Sequence, residues 1–131
     1  MNNNGNGFLY NDLTEKIIGC AYRVYNELGS GFLEKIYENA LKIELEEEGL
    51  RVSQQEKIDV HYKGILIGDY IADLLVEDKI IIELKAVNEL ATVHENQLVN
   101  YLKATGMKLG LLINFGNKLK IKRKILTPNK K

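Results

Sequence analysis

Ile71-Ala72-Asp73-Leu74-Leu75-Val76-Glu77-Asp78-Lys79-Ile80-Ile81-Ile82-Glu83-Leu84-Lys85 sets two apolar runs around a short charged centre. Runs rich in Ile, Leu and Val, broken by a polar cluster, read as two strands and a turn. The two-residue period of a strand puts Ile80, Ile82 and Leu84 on one face and Glu83 with Lys85 on the other. Both flanks are strongly apolar, which makes the strand largely interior, and interior charges are costly unless paired or bound to a metal. Asp73 is enclosed in the same way by Ile71, Ala72, Leu74 and Leu75. Opposed residues of an antiparallel pair point the same way, so Asp73 joins Glu83 only if the two lie opposite each other. That register pairs Val76 with Ile80 and leaves Glu77, Asp78 and Lys79 as the loop. A two-residue loop at Glu77-Asp78 would set Asp73 opposite Ile82 instead.

Upstream of this hairpin the spacing predicts two helices. Asp12 with Glu15 three places on forms a capping-box pattern. Ile17, Ile18, Ala21, Val24, Tyr25 and Leu28 then recur at helical intervals, so a helix is expected over 13–28, stopped by Gly29-Ser30-Gly31. A second helix over 32–48 is expected to bury Leu33, Ile36, Tyr37, Ala40 and Leu41. After Gly49 the period becomes extended, with strands over 54–62, 65–76 and 79–87 joined at Lys63-Gly64 and near Glu77-Asp78. A third helix over 89–104, ended by Gly106, precedes a buried strand over 107–115. A last strand begins at Lys118, with Leu119, Ile121 and Ile125 on one face. The order α-α-β-β-β-α-β-β is that of an α/β fold, a mixed β-sheet flanked by helices.

At 131 residues the chain suits one domain with its own core. A hydrophobic share of 45% and a charged share of 27% are globular values that argue against a disordered chain. Cys20 stands alone and makes no internal disulfide, which fits a reducing compartment, and a cytoplasmic location is expected. No apolar run approaches the ~18 residues needed to cross a membrane, and no membrane partner is expected. Met1 to Asp12 is polar, without an apolar signal core. The expected organisation is a disordered segment over 1–12, a domain over 13–126 and a basic tail over 127–131. All 18 acidic residues fall between Asp12 and Glu95, whereas residues 118 to 131 carry seven basic ones. Such a basic end suits a phosphate-rich partner, and it equally suits an edge strand protected by lysines.

Asp73, Glu83 and the backbone carbonyl of Leu84 offer hard oxygen donors of the kind Mg²⁺ takes alongside water and substrate phosphate. Lys85 would then orient a water or stabilise charge on a phosphate. The competing reading is a buried Asp–Lys or Glu–Lys pair that merely holds the hairpin together. Glu34 sits in the first turn of the second helix, where the helix dipole favours an acid whatever its role. His94, Gln97 and Tyr101 form one stripe of the third helix, facing either a pocket or water.

Together these pieces resemble a known family. Asp73, then Glu83-Leu84-Lys85, then Gln97 with Tyr101 is similar to the motif set of the PD-(D/E)XK nuclease superfamily. The spacing of Gly31, Glu34 and Tyr37, with His94-Glu95-Asn96-Gln97-Leu98 and Tyr101-Leu102, resembles the small branch of it called GxxExxY proteins. The resemblance spans about residues 13 to 126. It implies a restriction-endonuclease-like core and a phosphodiesterase site dependent on Mg²⁺ or Mn²⁺. Carried over, the site is Glu34, Asp73, Glu83 and Lys85, with Gln97 and Tyr101 in support. The proline that names the motif is Ala72 here, a change of backbone shaping, and every charged position is kept. The expected partner is DNA or RNA, gripped by Lys118, Lys120, Lys122, Arg123 and Lys124. At this size a homodimer or a partner chain is expected to extend the grip. The alternative is a catalytically silent nucleic-acid-binding or assembly module on the same fold.

Overall fold

A computed structural model describes residues 9–126. The elements are α1 (Asn11–Leu28), α2 (Glu34–Glu47), β1 (Val52–Tyr62), β2 (Ile65–Val76), β3 (Ile80–Lys85), α3 (Thr92–Thr105), β4 (Leu109–Phe115) and β5 (Leu119–Ile125). The strands form one sheet in the order β1-β2-β3-β4-β5. Only β3 and β4 run parallel, and α3 is the crossover such a pair requires. The expected order of elements and the mixed, helix-flanked sheet are both present. Of the segment 1–12 expected to be disordered, residues 1–8 lie outside the described residues, as does the tail 127–131, whereas Asn11 and Asp12 already belong to α1. None of the helices is long and apolar enough to cross a membrane.

Two apolar layers hold the sheet. On one face Ile17, Ala21 and Val24 of α1 and Leu41 and Leu45 of α2 pack on Leu74, Ile80, Ile82, Leu84, Leu111 and Ile113. On the other, Leu98 and Leu102 of α3 pack on Ala72, Leu75, Ile81 and Leu112. Burial on both faces is why β3 and β4 read as nearly unbroken apolar runs.

Two helix expectations change. α1 starts at Asn11, before the proposed cap, and no side chain caps it. Thr14 Oγ1 instead donates to the Tyr10 carbonyl at 2.7 Å, so the Asp12–Glu15 capping box is absent. In α2, Leu33 is the N-cap residue and 79% exposed, and Ile36 is 43% exposed. Tyr37 and Leu41 are buried as expected and Ala40 partly so, with Glu38 and Leu45 completing the stripe in place of Leu33 and Ile36. Tyr37 fastens the α1–α2 connection, donating to the Gly29 carbonyl and stacking on Phe115 at 4.6 Å.

β1 and β2 pair along their whole length, but β2 meets β3 only over Leu74–Val76. Residues 65–73 therefore project beyond the sheet as a two-stranded ribbon, closed by Lys63 and Gly64 at φ 52° and 79°, a type I′ geometry. Ile65, Leu66 and Ile67 lie exposed near its tip.

Candidate active site

The register of β2 and β3 decides which acids can meet. Val76 pairs with Ile80 and Leu74 with Ile82, so Glu77, Asp78 and Lys79 form the loop, and Asp73, the next residue beyond the ladder, lies beside Glu83. The ladder stops at Leu74, and side chains take over its bonding. Leu84 N–H donates to Asp73 Oδ2 at 2.8 Å, and Asp73 N–H approaches Glu83 Oε2 at 3.4 Å. Tyr70 hydroxyl donates to that same Glu83 oxygen. The strand also changes phase here: Tyr70 and Ala72 pack with Leu75 under α3, while Leu74 and Val76 pack under α1 and α2. Beside this break Gln55 takes φ 53°, an unusual value for a non-glycine residue. Its side-chain amide reaches Asp73 at 3.4 Å and Glu38 at 3.0 Å.

Burial disfavours the charged forms of these acids, and Lys85 offsets this in part. Burial, then the Asp73 charge, lifts Glu83 to about 7, against the Tyr70 hydrogen bond that pulls it down. Burial also lifts Asp73, opposed by the Leu84 N–H and reinforced by the charge of Glu38. Glu34 is raised by desolvation at the start of α2, opposed by Lys85 and reinforced by Asp73 and Glu38. Burial and the Glu83 carboxylate push the Tyr70 hydroxyl well above its ordinary value. Lys85 forms no ion pair among the described residues. The hairpin is thus not held by a buried Glu–Lys or Asp–Lys pair.

The donor set suits a hard divalent ion. Asp73 and Glu83 are adjoining carboxylates, both raised first by burial and only partly offset by Lys85, and Mg²⁺ needs only one or two carboxylates with water and phosphate. No group of three or more His, Cys, Asp or Glu side chains among the described residues is gathered closely enough to hold a metal. Glu34, the first residue of α2, feels the charges of Lys85 and Asp73 without closing a carboxylate triad among the described residues. The carboxylate α2 buries toward Asp73 is Glu38, one turn on, held by Gln54 at 2.7 Å and Lys35 at 3.1 Å.

The third helix reaches the site indirectly. Gln97 donates to the Tyr101 hydroxyl at 2.9 Å, and the Tyr101 ring stacks on Tyr70 at 3.7 Å. Gln97 and Tyr101 thus bear on Glu83 through Tyr70. His94 Nδ1 instead accepts the Ala91 N–H at 3.2 Å and fixes the start of α3.

The basic strand divides by face. Lys118, Lys120 and Lys122 are exposed. Lys124 pairs with Glu95 at 2.6 Å. Arg123 points to the opposite face, donating to the Leu9 carbonyl at 2.6 Å and Thr14 Oγ1 at 3.2 Å. It anchors the start of α1 and is removed from the set of nucleic-acid contacts.

Sequence reading missed Tyr70, Glu38 and Gln55. Tyr70 was within reach, since strand period puts it on the face of Ala72. Glu38 shares a helical stripe with Glu34. Nothing local signals the turned backbone of Gln55.

A family model described as PD-(D/E)XK nuclease superfamily matches residues 11–125. The fold is similar to a solved structure titled "Crystal structure of SSO0001", with a TM-score of 0.57 and 17% identity. That likeness covers 95% of this chain and 62% of the other, less than two thirds of its length. No curated protein matches.

Proposed function

The chain belongs to the PD-(D/E)XK nuclease superfamily, and from that premise we propose that it is a metal-dependent nuclease hydrolysing nucleic-acid phosphodiester bonds at Asp73, Glu83 and Lys85. We place it in the GxxExxY branch, on the spacing of Gly31, Glu34 and Tyr37. One observation carries the reading: Lys85 makes no ion pair among the described residues, yet its charge bears on two adjoining buried carboxylates, Asp73 and Glu83. A purely structural arrangement would have joined the lysine to an acid.

Asp73 and Glu83 would hold the divalent ion, which when bound supplies charge neutralisation and activation of water. Tyr70 orients the Glu83 carboxylate by its hydrogen bond, and Tyr101 and Gln97 hold Tyr70 in place. The Gln55 amide donates to Asp73 and to Glu38, so Glu38 acts on Asp73 only through Gln55 and through its charge. An ammonium has donors and no lone pair, so Lys85 is no metal ligand. Its task is to stabilise charge on the attacked phosphate, an interaction made mostly in the transition state.

Single-stranded, duplex and branched DNA and RNA incubated with Mg²⁺ or Mn²⁺ test this. Wild type should cleave at least one class, and Lys85→Ala should lower the rate by roughly 10²-fold or more. Normal cleavage by Lys85→Ala overturns the mechanism. Absence of any metal-dependent cleavage by wild type leaves a silent binding module in its place.

A further inference from the structure

The connection from β3 to α3 and the face of β5 enclose a cleft of about 390 Å³. Lys118, Lys120 and Lys122 line it with Asn117, Glu89 and Glu95. Glu95 is already paired with Lys124, while the three lysines form no ion pair among the described residues. The cleft is therefore positive on balance. Its position follows from sheet register. Lys85 pairs with Asn114 and Asn114 with Lys120, while Glu83 pairs with Leu112 and Leu112 with Lys122. Paired residues share a face, and Leu112 packs under α3, so the lysines stand on the same face as the candidate site. Two strand spacings separate them, roughly 10 Å. A stacked polynucleotide strand advances about 3.4 Å per nucleotide, so that distance is about three nucleotides.

We propose that this cleft is a subsite for an internal backbone phosphate of a polynucleotide strand, about three nucleotides from the bond presented at Lys85. The inference rests on the nuclease reading and adds a minimum substrate length to it. Lysines act as point charges and lack the planar fork with which arginine reads bases, so the subsite grips the backbone without sequence preference. The crossing Asn114 is not a ligand, because its amide is spent on both backbone groups of Val87 at 2.9 Å.

Fluorescence anisotropy tests this with end-labelled oligonucleotides of about two to about eight nucleotides, with and without a terminal phosphate, in chelator so that cleavage cannot intervene. Affinity should step up at about three to five nucleotides, independent of a terminal phosphate. Lys120→Gln/Lys122→Gln should remove the step, weaken the longer oligonucleotides about tenfold, and lower the slope of log affinity against log salt by about 0.7, the share of one phosphate. Lys63→Gln, an equal kind of charge loss at the ribbon tip, should do neither. A missing step, a step set by the terminal phosphate, or the same loss in Lys63→Gln overturns the subsite. Cleavage without the step would sink the subsite alone, and the step without cleavage would sink the nuclease reading alone.

Discussion

Glu83 concentrates the chemistry of the site in one titration. In metal-free protein its folded pKa of about 7 lies above the ordinary 4.5, so the folded carboxyl keeps a proton that the unfolded one releases. Stability should therefore fall as pH rises from about 4.5 to about 7 and level off above, the sign set by a folded state that binds more protons. Asp73, Lys85 and Tyr70 are the groups that face it, and Glu83→Gln should flatten this part of a denaturation-versus-pH series. Tyr70→Phe removes the bond that holds the value down, so carboxyl NMR should report an even higher Glu83 pKa. Asp73, Glu83 and Lys85 were legible because strand parity is a local rule, and the register followed from asking that they meet. Arg123 was not legible. Its partners Thr14 and Leu9 stand 109 and 114 residues away along the chain, and only the packing of α1 on the sheet brings them together.

At the scale of elements, order and type were readable because the apolar period changes cleanly from helix to strand after Gly49. The buried face of α2 was readable in part: Tyr37, Ala40 and Leu41 turn inward as expected, but Leu33 and Ile36 fit the same apolar spacing and lie exposed. Asn114 shows how one element fixes the next. Its buried amide bonds both the N–H and the carbonyl of Val87, holding the segment after Lys85 against β4. Asn114→Ala leaves those groups unpaired and should cost about 1–3 kcal/mol in urea denaturation. Gly116 packs against the same carbonyl, where an added Cβ would lie 1.9 Å from Val87 O. The β3–α3 connection, and with it the lysine cleft, is set by this contact.

For the whole molecule, a divalent ion that binds only the assembled site stabilises the fold by mass action, about 2.7 kcal/mol at a hundredfold excess over Kd. Millimolar Mg²⁺ should raise the Tm of wild type by several degrees and that of Asp73→Ala much less, as read by thermal unfolding. Layering was implicit in the doubly apolar β3 and β4, but the reach of the β1–β2 ribbon was not, since local pattern does not say where a neighbouring strand stops. That ribbon leaves Ile65–Asp73 with a free edge, where exposed Ile65, Leu66 and Ile67 sit beside open backbone donors and acceptors. An open apolar edge is a template for intermolecular pairing, tempered here by Lys57 and Asp69, which bridge the ribbon at 3.6 Å. Ile67→Lys should raise the concentration at which light scattering reports a single species while leaving Tm within about 0.5 kcal/mol of equivalent stability. The segment that carries Asp73 to its place is thus also the one that limits how crowded a solution of this protein can become before it aggregates.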